Sequence, residues 1–317
     1  MKPGERSSNV PYELPPIRPP SEAYSLLIRV MRGCPWNYCT FCAVYKGYPR
    51  KNVIRPVAEV ESDIDELRAA ADHLHLQGYG GEPRTAFLAD SNAIIVKTED
   101  LAEIIRYLCR VFPSLERVTS YGRAKTVLSK NLEELRRLRE AGLTRLHVGL
   151  ESGDDEVLGR VKKGATAGEM IEAGSKAKEA GFELSEYVMP GLGGKGASRQ
   201  HVQGTARVLN AIDPHYIRVR SLMLVPGTPL WDEYAAGQFE PLSRYEVVVE
   251  IGALIEGLEV TSRVCFDHHA NPPIFRQDWE GYKFPEEKAA VLELIDRALE
   301  SIRQARKSTG ASARECD

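Results

Sequence analysis

Three of the six cysteines lie within nine residues, at Cys34, Cys39 and Cys42, and the other three are scattered at Cys109, Cys265 and Cys316. In a chain of 317 residues this is not the regular framework of a small disulfide-stapled domain. A tight set of soft thiolates suits zinc or an iron–sulfur cluster far better than a hard cation. Structural zinc takes four protein ligands, and no further Cys or His lies within about twenty residues on either side to complete the set. Three thiolates on a cubane leave one iron open to an incoming ligand. The triplet therefore reads as a [4Fe–4S] site that binds a cofactor or substrate directly.

Hydrophobic periodicity supplies the elements that must carry this loop. Ser25 to Val30 reads as a strand running into Gly33-Cys34, which puts the cysteines at its carboxyl end. Val60, Ile64, Leu67 and Leu74 fall near helical spacing between Pro56 and Leu76, and Arg84 to Ala89 is a second strand. A helix from Lys97 to Phe112, stopped by Pro113, precedes a third strand at Val118 to Tyr121 and a helix capped by Asn131. Strand Arg145 to Leu150, helix Thr166 to Ala180, strand Glu183 to Met189, helix Ser198 to Asn210 and strand Tyr216 to Leu224 continue the alternation. Six strand–helix units predict an α/β protein with a partial (β/α)6 TIM-like barrel and a small, mainly helical C-terminal cap. The expected organisation is a Pro-rich extension over 1–20, the core barrel over 21–235, the cap over 236–306, with helices near 243–258 and 286–305, and a disordered tail over 307–317.

Composition narrows the class. Lys and Arg number 42 against 45 Asp and Glu, a net charge of -3, without the basic excess of most nucleic-acid binders, so a nucleic-acid partner is not expected. No run approaches the roughly 20 apolar residues of a membrane helix, and the N-terminus lacks a signal peptide's apolar stretch. A cytoplasmic protein without a membrane partner is expected.

The segment Arg32-Gly33-Cys34-Pro35-Trp36-Asn37-Tyr38-Cys39-Thr40-Phe41-Cys42 resembles the signature of the radical S-adenosylmethionine (SAM) superfamily. That pattern has three residues between the first two cysteines and two between the last two, with an aromatic before the third. Here the first gap holds four, and Phe41 takes the aromatic place. Leu146 to Leu158 and Leu222 to Leu230 resemble the branch of oxygen-independent coproporphyrinogen oxidases and tRNA-modifying Elongator-type and methylthio-transfer enzymes. The resemblance implies that Cys34, Cys39 and Cys42 hold a [4Fe–4S] cluster and that the amino and carboxylate groups of SAM chelate its open iron. It further implies one-electron cleavage to a 5′-deoxyadenosyl radical, which abstracts hydrogen from substrate. An electron donor such as a flavodoxin or ferredoxin is the implied partner, beside a small-molecule substrate.

Strand alternation then selects residues. In the fourth strand His147, Gly149 and Glu151 share the interior face, with His147 expected as a satisfied core residue and Glu151, at the carboxyl end, able to accept from a ribose diol or an ammonium group. The resemblance independently implies a SAM-contacting polar residue there. In the sixth strand Arg218 and Arg220 face inward, either pairing with carboxylates such as Glu151 or Glu186, or recognising an anion on substrate or SAM. Gly80-Gly81-Glu82 spells the family's motif for the SAM amino group but precedes the second strand, so it is read as a turn. The matching place is Asp90 and Ser91. Arg123 after the third strand is a rim cation that either holds the SAM carboxylate or is simply solvated, and Gly191, opening a glycine-rich loop, permits close backbone approach to a ligand, which the resemblance implies is adenine.

His268, His269 and Asn271, after a strand in the terminal region, are either candidate catalytic residues together with Arg218 or part of a polar loop hydrogen-bonded to itself. Adjacent histidines in extended chain face opposite sides, which argues against a shared metal. No second cysteine set, cobalamin-binding segment or RNA-binding module is apparent, so hydrogen abstraction from a small, anionic metabolite is expected ahead of tRNA or tetrapyrrole modification. A non-catalytic iron–sulfur or cofactor-carrier protein is the alternative of another class.

Overall fold

A computed structural model describes residues 17–46, 52–77 and 81–309. The lead before residue 17, Gly80, and the tail from residue 310 with Cys316 lie outside them. In chain order the elements are β1 (Leu26–Arg29), β2 (Met31–Arg32), β3 (Val53–Ile54), α1 (Val57–Leu76), β4 (Thr85–Ala89), α2 (Thr98–Val111), β5 (Arg117–Gly122), α3 (Ala124–Ser129), α4 (Leu132–Ala141) and β6 (Leu143–Glu151). There follow α5 (Asp155–Arg160), α6 (Ala167–Glu179), β7 (Glu183–Val188), α7 (Gly194–Ile212), β8 (Tyr216–Val219), α8 (Pro229–Ala235), α9 (Arg244–Gly257), β9 (Arg263–Cys265), β10 (Tyr282–Lys283) and α10 (Lys288–Thr309). The expected α/β class holds, with each of the six anticipated strands in place. The main sheet runs β1-β4-β5-β6-β7-β8-β9-β10, and β2 and β3 form a separate antiparallel pair. No helix among the described residues is long and apolar enough to cross a membrane.

Contacts divide the chain into two compact units. The first comprises residues up to Pro35, Gly47–His147 and Glu179–Phe182. Here β1, β4 and β5 pair in parallel, with Ile28 opposite Leu88 and Leu88 in turn opposite Ser120. Ala86, Phe87, Leu88 and Ala89 are all fully buried, as a parallel strand covered on both faces requires. Asn131 caps α4 as anticipated, through a reciprocal box with Glu134 in which each backbone N–H donates to the other side chain at 2.8 Å.

Nothing local in the chain hints at the buried carboxylate of Glu22. It sits in a short 3-10 turn near the amino ends of β4 and β5, fully buried, where Ser25 Oγ donates to it at 2.6 Å. His147 Nε2 and Arg117 lie 3.4 Å from its Oε1 and Arg145 3.9 Å away. Burial alone would raise its pKa, but His147, Arg117 and the Ser25 hydroxyl outweigh burial and hold it down to about 2. His147 is thus a fully buried core residue set against the Glu22 carboxylate. A depressed carboxylate stabilises the fold above its unfolded pKa and loses that contribution as pH falls from about 4.5 towards 2. Glu22→Gln is expected to unfold more readily at pH 7 and to lose less stability on acidification than the native chain; parallel slopes in urea melts between pH 6 and 3 would contradict this.

The second unit comprises Trp36–Lys46, Val148–Lys178 and the chain from Glu183. In it β7, β8 and β9 are parallel, Glu186 opposite Ile217 and Arg218 opposite Cys265, and β10 returns antiparallel to β9. The terminal region therefore contributes two strands as well as α9 and α10. The sixth anticipated strand, read as Tyr216 to Leu224, stops at Val219. Beyond it the side-chain amide of Asn271 replaces a neighbouring strand, Nδ2 donating to Val219 O at 2.7 Å and Oδ1 accepting from Ser221 N at 3.0 Å.

Candidate functional site

In the first unit, Cys34 follows β2 and Gly33, whose φ of 79° turns the chain out of the strand. The residues after β4 hold Gly33 at both its polar groups: its N–H donates to Asp90 Oδ2 at 3.1 Å and Ser91 Oγ donates to its carbonyl at 2.9 Å. Asp90 is almost fully buried, with Arg29 Nε at 3.5 Å. Burial pushes its carboxyl upward, opposed by Arg29 and the Gly33 N–H. Asp90 and Ser91 thus anchor the backbone next to the first cysteine. Arg123 is half-buried at the end of β5, its N–H donating to Asn92 Oδ1 at 3.0 Å. Glu82 is exposed and paired with Arg68 at 2.8 Å, in the irregular segment before β4.

In the second unit, the segment carrying Cys39 and Cys42 has no helix or strand but is tied down along its length. Trp36 Nε1 donates to Lys162 O at 2.8 Å, Thr40 N to Val161 O at 3.0 Å, and Leu230 N to Thr40 O at 3.0 Å. The Trp36 ring lies on Gly164, where a Cβ would stand 2.6 Å from its Cε2. Phe41 packs on a cluster of Val157, Val161, Met189 and Leu192. Cys34, Cys39 and Cys42 are not in disulfides and none is fully buried.

At the end of β6, Glu151 leaves the strand at φ 61° and its Oε1 accepts from Lys163 Nζ at 3.0 Å, each side chain 13% exposed. Gly149 makes room for the pair, since a Cβ there would stand 2.8 Å from Lys163 Nζ and closer still to Glu151 Oε1. Glu186 on β7 is 1% exposed and its Oε2 has no hydrogen-bond partner. Burial pushes its carboxyl well up, Lys163 opposing and Glu151 adding to the rise. Lys163 was not among the residues read from sequence. It arrives twelve positions after Glu151 through a turn, which no strand or helix period marks.

Arg218 does not pair with Glu151 or Glu186, as anticipated, but with Asp267, both side chains at most 2% exposed. The chain after β9 carries Asp267 alongside β8, leaving Glu151 to Lys163. Asn271 spends its amide on Val219 and Ser221, so it positions the chain end. His268 and His269 do not face apart: the chain bends and turns at 268–270, and the rings lie 4.3 Å apart. Gly191 N donates to Glu250 Oε1 at 2.5 Å, and Ser198 Oγ bonds the other oxygen of this buried carboxylate on α9.

The family model of the radical SAM superfamily matches residues 28–209. The chain belongs to that superfamily. It is 28% identical over 219 residues to the tRNA-2-methylthio-N(6)-dimethylallyladenosine synthase of Hahella chejuensis, covering 67% of this chain and 46% of that protein. It is 23% identical over 222 residues to the heme chaperone HemW of Bacillus subtilis, covering 67% and 56%. The chain thus spans about half the length of these two relatives. Among solved structures, the archaeal Elp3 of Methanocaldococcus infernus superposes with a TM-score of 0.54 at 14% identity over 87% of this chain and 63% of that one, a likeness of fold.

A radical SAM enzyme uses a [4Fe–4S] cluster and SAM. The donor set here fits the cluster: three partly accessible cysteines outside any disulfide, two of them on a segment held by other residues. Among the described residues no three His, Cys, Asp or Glu side chains gather round a single ion position. A cubane binds each thiolate at a different iron and does not require it.

Proposed function

We propose that Cys34, Cys39 and Cys42 hold the cluster, that SAM is bound by Glu151 with Arg123 and the Gly191 loop, and that the reaction abstracts hydrogen from a small anionic metabolite. The observation that carries this reading is the set of three cysteines outside any disulfide, two of them on a segment tethered through Trp36, Thr40 and Phe41, within the span of the family match. When bound, the cluster supplies the single electron and SAM the hydrogen-abstracting group.

The chain's own residues bind and orient. Lys163 fixes the direction of the Glu151 carboxylate, which accepts from the ribose diol or the ammonium of SAM. Burial pushes Glu186 towards its neutral form, in which its unpartnered carboxyl can donate. Glu250 braces Gly191 so that its backbone can approach the adenine closely. Asp90 and Ser91 act on SAM through Gly33 and the loop it opens. Asp90→Asn is therefore expected to weaken SAM binding about tenfold, roughly 1.4 kcal/mol, whereas Glu82→Gln leaves it unchanged; calorimetric titration of SAM into both variants gives the answer, and the reverse order would remove Asp90 from the site.

The first experiment is anaerobic reconstitution with iron and sulfide, reduction by dithionite with SAM present, and detection of 5′-deoxyadenosine. Its formation supports the reading. A loaded cluster that binds SAM and yields no nucleoside favours a cofactor carrier. The 28% identity to a tRNA-modifying synthase favours a second reading, an RNA substrate. Binding to tRNA that falls steeply with salt would support it.

A further inference from the structure

At the carboxyl end of β8 and in the segment after β9 stand Arg220, His268 and His269, a cation and two imidazoles. Arg218 lies on β8 and Arg220 just beyond its end. The first is neutralised by Asp267, whereas Arg220 is exposed and has no ion-pair partner among the described residues. Its backbone is held on both sides, its own N–H donating to Val188 O at 2.9 Å and the flanking Val219 and Ser221 bonded to Asn271. A fixed Cα under an uncommitted guanidinium is a means of presenting its planar fork.

The histidines add donors. His268 Nδ1 accepts from Ala270 N at 3.1 Å, so the neutral ring carries its proton on Nε2. The His269 ring lies beside it at 4.3 Å and is exposed. Asn271 N donates to His268 O at 3.0 Å while its side chain holds Val219 and Ser221 on either side of Arg220, which brings the imidazole to the arginine; burial, Arg220 and His269 lower His268 to about 4 and keep it a neutral donor. The carboxylate next in sequence, Asp267, is taken by Arg218.

We propose that Arg220, His268 and His269 form a receptor for one oxyanionic group, a carboxylate or a phosphate, on the substrate. The guanidinium fork takes two oxygens and the imidazoles the remainder. This deepens the reading of a small-metabolite enzyme given above, on which it rests, and moves Arg220 from SAM to substrate.

The test uses the full chain labelled in its imidazole carbons and titrated with inorganic phosphate and, separately, acetate, with resonances assigned through His268→Gln and His269→Gln. One of the anions is expected to shift both imidazoles saturably, which also tells carboxylate from phosphate. Arg220→Met should weaken that binding at least tenfold and Arg220→Lys less, while Arg106→Met, an exposed arginine on α2, leaves it unchanged. No saturable shift with either anion, or one that survives in Arg220→Met, overturns the proposal. SAM binding by the reconstituted protein is measured alongside. A chain that loads its cluster and binds SAM but ignores both anions loses only this receptor; one that binds an anion through Arg220 but takes up no iron keeps the receptor and loses the radical reading.

Discussion

Alanine at Cys34, Cys39 and Cys42 together is expected to bring iron from about four per chain to none, and 5′-deoxyadenosine formation to background. Each single replacement should do nearly as much to turnover, because a cubane with two protein ligands is readily lost. The fold itself should hardly notice. The thiols are only partly buried, and the segment from Trp36 is secured by the Trp36–Lys162 bond, the backbone bonds of Thr40 and the packing of Phe41. Cys109→Ser is the matching control: that thiol faces the Cα of Gly142 from α2, far in sequence from the loop, and burial raises its pKa, which suits packing rather than ligation. Iron and sulfide analysis with thermal melts of the iron-free chains decides the matter. Full iron in the triple variant would remove these cysteines as ligands, and one tightly held zinc in the native protein would replace the cluster with a structural metal.

The parts of the molecule legible in the sequence are those governed by local period and spacing. The six anticipated strands declare themselves by apolar runs between helices, and Asn131 announces its cap because Glu134 follows at the right distance. The cysteine loop stands out in the sequence because residue type and spacing are both local. What escaped depends on partners brought together by the fold. Nothing near Arg218 points to Asp267, 49 residues on, and nothing near Glu151 points to Lys163. Asn271 ends a strand that its own residues would have continued, and a turn at 268–270 reverses the expected divergence of two histidines. Glu22, a lone acid after a Pro-rich lead, acquires meaning only beside His147, Arg117 and Arg145. Polar groups of this kind are fixed by the requirement that a buried charge find its counterpart, a condition on three-dimensional neighbours rather than on sequence neighbours.

Arg218→Met is expected to destabilise the chain by about 3–5 kcal/mol, the range for removing one partner of a buried ion pair. The side chain left behind, Asp267, is 2% exposed, and Arg218 is the cation whose charge opposes the upward push of burial on its carboxyl. Without the guanidinium the folded pKa rises further above the unfolded value. The folded state then binds the proton more tightly than the unfolded state, so stability falls as pH rises through that interval. The deficit should accordingly be smallest in mild acid, where Asp267 is neutral, and complete at pH 8. Replacing both partners, Arg218→Met with Asp267→Leu, should restore most of the loss, because no charge remains to be solvated and the site is already lined by buried groups on β8 and β9. Urea unfolding of the single and double variants at pH 5 and 8 measures all three quantities. A single variant within about 1 kcal/mol of native at pH 8 would place the pair among weak, solvent-screened contacts and would free Arg218 for a direct role in binding.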